Sequence, residues 1–134
     1  MSSLTTVYNR LCRFVLGCPF STHHCTMYQT LDWPSPSIRR ERHWLNLIFK
    51  CIHLDYPPYL KQLLIPFSST YNLRHTVQYF YSVPSFSKAM SKKAFKFKAP
   101  SEWNNLPLHI RSLPSLYQFK NSLRSHYKVV CSCR

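Results

Sequence analysis

Carboxylates are nearly missing from this chain. Among its 134 residues the acids are Asp32, Glu41, Asp55 and Glu102, no two of them close in sequence. Polymerases and nucleases hold their catalytic metal ions with clustered carboxylates, so this scarcity argues against metal-dependent phosphoryl chemistry within the chain. No Ser-His-Asp or Cys-His nucleophile motif stands out either. Glycine is scarcer still. Gly17 is the only one, which leaves little for a phosphate-cradling loop or for turns that need positive φ. Ten prolines punctuate the chain instead. No apolar run reaches the ~18 residues of a membrane span. The longest candidate, LNLIF at 45–49, is cut by Lys50. The N-terminal stretch carries Arg10 and Arg13 inside its apolar region, which makes it a poor secretory leader. The expected compartment is cytoplasmic or nuclear, not secreted, with the six cysteines as thiols.

Cations are abundant. The chain has 18 Lys plus Arg against 4 Asp plus Glu, a formal net charge of +14. Such an excess costs stability by self-repulsion and favours a polyanionic partner. The competing account is a piece whose acidic counterpart lies elsewhere. Apolar residues make up 45% and aromatic residues 16%, enough for a modest, ring-rich core.

Periodicity supplies the elements. Leu4, Val7, Tyr8, Leu11, Cys12 and Val15 recur at helical spacing, and Gly17 is a natural stop for that helix. A short helix is expected over 21–33, capped by Thr22, with Met27, Tyr28 and Leu31 on one face. The clearest long helix spans 34–54. Ser35 can cap it and Pro36 suits its first turn. Its stripe is Ile38, Leu45, Ile48, Phe49 and Ile52, widened by Trp44, Leu47 and Cys51. Arg39, Arg40 and Arg42 lie near its N-terminal end, the wrong end for cations in the field of the helix dipole.

A turn and a short helix are expected over 55–64, and a loop over 66–75. VQYFYSVP (77–84) is β-rich. KAFKFKA (93–99) alternates, with Phe95, Phe97 and Ala99 on one side and Lys96 and Lys98 on the other. The two runs predict an antiparallel hairpin. SEWNNL (101–106) reads as a short helical turn capped by Ser101. Leu116, Phe119, Leu123 and Tyr127 predict a closing helix capped by Ser115, followed by a frayed tail, VVCSCR. The expected fold class is α+β: four or five helices and one antiparallel β-hairpin. The expected segments are 1–64, 65–128 and a disordered tail over 129–134.

Two constellations invite chemistry. Cys12, Cys18, His23, His24 and Cys25 lie close in sequence and are ligand types that suit zinc. The chain has no C-x-x-C pair, so buried structural thiols are favoured and no metal is expected. Cys131 and Cys133 form C-x-C in the tail, again without partners at zinc spacing. The second constellation is basic. Arg39, Arg40 and Arg42 form one cluster. Lys88, Lys92, Lys93, Lys96 and Lys98 form another, continued by Arg111, Lys120 and Arg124. On a hairpin the lysines would share a face able to track phosphates, and Tyr79, Tyr81 and His109 could add stacking surfaces. A solvated strand edge guarded by lysine is the plainer alternative. Trp103 is expected to plug a core gap rather than stack on a base.

The order of these elements carries a resemblance. AFKFKAPSEWNNLPLHIRSLPSLYQFKNSL (94–123) resembles the C-terminal end of reverse transcriptases from LINE-type (non-LTR) retrotransposons. That family ends in AF-x-x-x-AP-x-x-WN-x-LP-x-x-IR, a spacer, a leucine and FK-x-x-L. Ala94, Phe95, Ala99, Pro100, Trp103, Asn104, Leu106, Pro107, Ile110, Arg111, Leu116, Phe119, Lys120 and Leu123 match in order. Upstream, YNLRH (71–75) is similar to a Y-x-LR element, and RRERHWLNLIFKCIH (39–53) to an RR…L…FK-x-I segment. VYNRLCRFVLGCPFSTH (7–23) looks like the helix after the polymerase core. Ser91 stands where family members often have glycine.

The resemblance implies a non-catalytic C-terminal region, as a truncated or degraded copy. The polymerase aspartates and the endonuclease would lie upstream. The implied role is to pack beside the thumb and to hold template RNA or target DNA, without a cofactor. The implied partners are RNA or single-stranded DNA and other parts of a retrotransposon polymerase, with no membrane. The alternative is a structural or protein-interaction fragment, including a non-functional pseudogene product, without specific nucleic-acid binding. A third is a small zinc-binding module.

Overall fold

A computed structural model describes residues 2–68, 79–85 and 90–127. Among the described residues it is all-helical: seven α-helices and one 3-10 turn, with no strand. The helices are α1 (Ser2–Leu16), α2 (His24–Leu31), α3 (Pro36–His53), α4 (Pro58–Lys61), α5 (Phe95–Asn104), α6 (Leu108–Arg111) and α7 (Leu116–His126). The expected α+β class and its hairpin are therefore wrong. Lys88, the YNLRH element, the first two residues of VQYFYSVP and the expected tail lie outside the described residues. No described helix is long and apolar enough to cross a membrane.

The second half of the expected hairpin is helical. Ser91–Lys93 form the 3-10 turn and α5 starts at Phe95. The period-two alternation was real in sequence but too short to decide the structure. A longer four-residue repeat competes with it: Phe95, Ala99 and Trp103 sit one helical turn apart. Ala99 and Trp103 are buried, whereas Phe95 and Phe97 are half-buried. Pro100 lies inside this helix and is buried too. It has no N–H to donate, and packing outweighs that loss. Ser101 is thus not a cap but part of α5. The β-rich run finds a different and much shorter partner. Pro66 and Tyr81 form an isolated antiparallel bridge. The Phe67 N–H donates to the Phe80 carbonyl (2.9 Å) and the Ser82 N–H to that of Ile65 (2.8 Å).

The chain divides into two compact units, residues 1–42 with 124–134, and residues 43–123. In the first unit, Cys12, Met27 and Tyr28 are buried, with Tyr8, Leu16, Cys18, Leu31 and Trp33 packed against them. The Tyr8 ring meets the Tyr28 ring edge-on at 5.5 Å. The Tyr28 hydroxyl donates to Asn9 Oδ1, and burial pushes its pKa up to about 12. Gly17, at φ +60°, ends α1 as expected. Its N–H reaches the Phe14 carbonyl and the Cys18 N–H that of Arg13, a Schellman pattern. With glycine so rare, Asp32 takes the same left-handed conformation after α2, at φ 50°; short polar side chains tolerate it best. The cap of α2 is His23, not Thr22: its Nδ1 accepts the Cys25 N–H at 3.3 Å. Ser35 does cap α3, its hydroxyl accepting from the Ile38 N–H. The predicted stripe of α1 is only partly used: Tyr8 and Cys12 turn inward, while Leu4, Val7, Leu11 and Val15 are exposed, as is Phe14 outside the stripe.

The second unit holds the larger core. Leu45, Ile48, Phe49 and Cys51 of α3 are buried with Ala99 and Trp103 of α5, Ile110 of α6, and Phe119 and Leu123 of α7. Phe49 lies 4.5 Å from Phe119, and Trp103 stacks on Phe119 at 5.7 Å. His53 stacks on Phe49 at 4.2 Å, and its buried Nε2 has no hydrogen-bond partner among the described residues. Desolvation therefore lowers its pKa. The unfolded chain then takes up this proton at a higher pH than the folded one, so stability should fall as pH drops below about 6.5. The melting temperature should be lower at pH 5 than at pH 7.5, and the drop should be shallower in His53→Gln. Equal drops in the two proteins would exclude His53 as a source.

Candidate nucleic-acid interface

The lysines of the expected hairpin are exposed, but on a different frame. Lys92 and Lys93 lie in the 3-10 turn, and Lys96 follows in the first turn of α5; all three side chains are open to solvent. Lys96 and Lys98 were expected on one face of a strand. Two residues along a helix are about 200° apart, so they point to different sides. Lys98 is exposed yet engaged within its own unit. Its ammonium lies 5.1 Å from the centre of the Trp44 ring and 3.7 Å from Glu102, four residues on. Among the described residues, the other ion pair is Lys61 with Asp55. Two of the four carboxylates are thus already matched to lysines, and none pairs with Lys92, Lys93 or Lys96.

Arg111 is not a surface cation. It is 5% exposed. Its guanidinium lies 4.0 Å from the centre of the Phe80 ring, and Nη1 donates to the Tyr79 carbonyl at 3.4 Å. Burial lowers its pKa. Two neighbours of the same motif hold the same short segment. Trp103 Nε1 donates to the Tyr79 carbonyl at 2.9 Å. The Asn104 side chain accepts from the Tyr81 N–H (3.0 Å) and donates to the Tyr81 carbonyl (2.8 Å). Tyr79 is at φ 62°, a costly conformation for a bulky residue, and two donors on its carbonyl help to hold it there. The W-N pair and the I-R arginine therefore clamp residues 79–81. Of the three proposed stacking groups, Tyr79 and His109 are exposed and Tyr81 is half-buried.

In the first unit, Arg39 and Arg40 are exposed and Arg42 is half-buried. Their awkward place at the start of α3 has a partly internal explanation. Arg39 lies 5.7 Å from the Tyr8 ring centre and donates to the Tyr8 hydroxyl at 3.4 Å. Arg42 donates to the Tyr127 carbonyl at 2.7 Å and to the Arg124 carbonyl at 3.3 Å. These carbonyls close α7, the end of a helix that favours a cation. Lys120 and Arg124 have exposed side chains.

Of the cations proposed from sequence, Lys92, Lys93, Lys96, Lys98 and Lys120 are thus exposed in the second unit, and Arg39, Arg40 and Arg124 in the first. Sequence spacing alone did not separate Arg111 and Arg42 from these. A buried arginine in a motif dominated by core residues was the available signal. No protein-family model, curated protein or solved structure matches the chain.

Proposed function

We propose that the chain is a non-catalytic, nucleic-acid-binding C-terminal segment of the LINE reverse-transcriptase type. It holds RNA or single-stranded DNA by its phosphates. The observation that carries this is the charge: a net +14, with Lys92, Lys93 and Lys96 exposed and unmatched by any described carboxylate. Phosphate contacts of this kind position a strand without reading its sequence. The motif resemblance points the same way and is consistent with a fold role for its residues, since Trp103, Asn104 and Arg111 bind backbone rather than solvent. Catalysis belongs to no residue here.

The protein-interaction alternative has its own observation, the exposed apolar stripe of α1. Contiguous apolar surface of this sort usually marks a contact. The two are separated by anisotropy titrations of the chain into labelled single-stranded RNA and DNA of several sequences at low salt. Similar affinities across sequences support phosphate binding. No binding to any oligonucleotide leaves the α1 surface as the functional feature.

A further inference from the structure

The cysteine–histidine constellation is resolved by the structure into something smaller than a zinc finger. His23, His24 and Cys25 occupy the cap and first two positions of α2, and one ligand atom from each lies within 4.8 Å of the others. The rings of His23 and His24 are 4.3 Å apart. His23 is exposed, His24 half-buried and Cys25 buried. The set therefore opens to solvent on the histidine side and closes on sulfur. A three-coordinate ion with ligand bonds near 2.1–2.3 Å brings its ligands to roughly 3.6–4.0 Å of one another, a closure of about 1 Å from the observed limit of 4.8 Å.

We propose that His23, His24 and Cys25 form a three-coordinate site for a soft monovalent d10 ion, Cu(I). Three considerations select that ion. Thiolate with imidazole is a ligand set that copper and zinc both accept, and the sulfur selects soft ions. A structural zinc site needs four protein ligands, and the cluster has three. Charge then decides between the two. One thiolate and two neutral imidazoles around Cu(I) give a neutral complex. Zn(II) would leave a positive charge at the positive end of α2, within the field of Arg13. Binding is balanced by release of the Cys25 thiol proton, with no change of oxidation state. It also displaces the cap: the Nδ1 lone pair of His23 now accepts from the Cys25 N–H. Either the ion takes that lone pair, or the proton moves to Nδ1 so that Nε2 can bind.

The test uses the full chain, reduced and anaerobic, titrated with Cu(I) against bicinchoninate. Cys131→Ser and Cys133→Ser are present throughout, to remove the competing C-x-C. One Cu(I) per chain is expected, with an X-ray absorption shell of one sulfur and two nitrogens. His23→Asn keeps a capping side chain and should lower affinity by about tenfold or more, as should His24→Gln. Cys25→Ser should abolish uptake. Circular dichroism checks its fold, and the exposed His23 variant carries the test if that fold fails. Zinc should not be stoichiometric in the purified chain. An all-sulfur shell, unchanged uptake in the histidine variants, or one tightly held zinc would each overturn the proposal.

Discussion

Trp103→Ala should destabilise the chain by about 3–5 kcal/mol, the usual cost of deleting a large buried ring. Trp103 is fully buried, packs on Phe119 and Phe49, and gives its indole N–H to the Tyr79 carbonyl. The substitution opens a cavity and removes one of the two donors that hold Tyr79 in its left-handed conformation. The loss should appear as a melting temperature lower by roughly 10–20 °C, read by circular dichroism. Affinity for single-stranded RNA per folded molecule should be nearly unchanged, because the ring presents no surface to a base. A stable variant that has lost RNA binding would make Trp103 a binding residue and remove the core assignment.

This result also bears on what could be read from the chain beforehand. The helices with long apolar stripes were legible. Leu45, Ile48 and Phe49 of α3, and Phe119 and Leu123 of α7, are buried as their spacing requires. The hairpin does not form because five residues of alternation around Phe95 and Phe97 are too few to outweigh burial along the Phe95–Ala99–Trp103 repeat. Pro100 disguised that repeat, since proline inside a helix argues for a break. Helix α6, Leu108–Arg111, falls where no element was expected: a single turn between Pro107 and Pro114 is too short to show a period. At the candidate site, exposure was legible for the lysines, whose charge makes burial expensive. It was not legible for Arg111. Its burial depends on Phe80 and the Tyr79 carbonyl, about thirty residues away in sequence, and no local pattern records that. For α1 the periodicity was sound, yet Leu4, Val7, Leu11 and Val15 remain exposed. An amphipathic stripe shows that a face exists, not that anything covers it.

The second large effect concerns the lysines. Lys92, Lys93, Lys96 and Lys98 are all exposed in one short stretch, and their replacement by glutamine removes four positive charges without touching the buried core. Affinity for every single-stranded sequence should fall together, since phosphate contacts do not discriminate between bases. Folding should survive. Lys98 also contributes its Trp44 and Glu102 contacts, and exposed pairs of this kind are worth about 0–1 kcal/mol.

The most direct measurement is a salt titration of the parent chain and this fourfold variant on one labelled single-stranded oligonucleotide. Each engaged phosphate releases a counterion, so five engaged cations predict a log–log slope of about −3.5 for the parent. The variant should be flatter by up to ~2.8, at ~0.7 for each lysine lost. Equal slopes in the two proteins would show that the turn before α5 is not the binding surface, and absence of binding at low salt would contradict nucleic-acid recognition by this chain altogether.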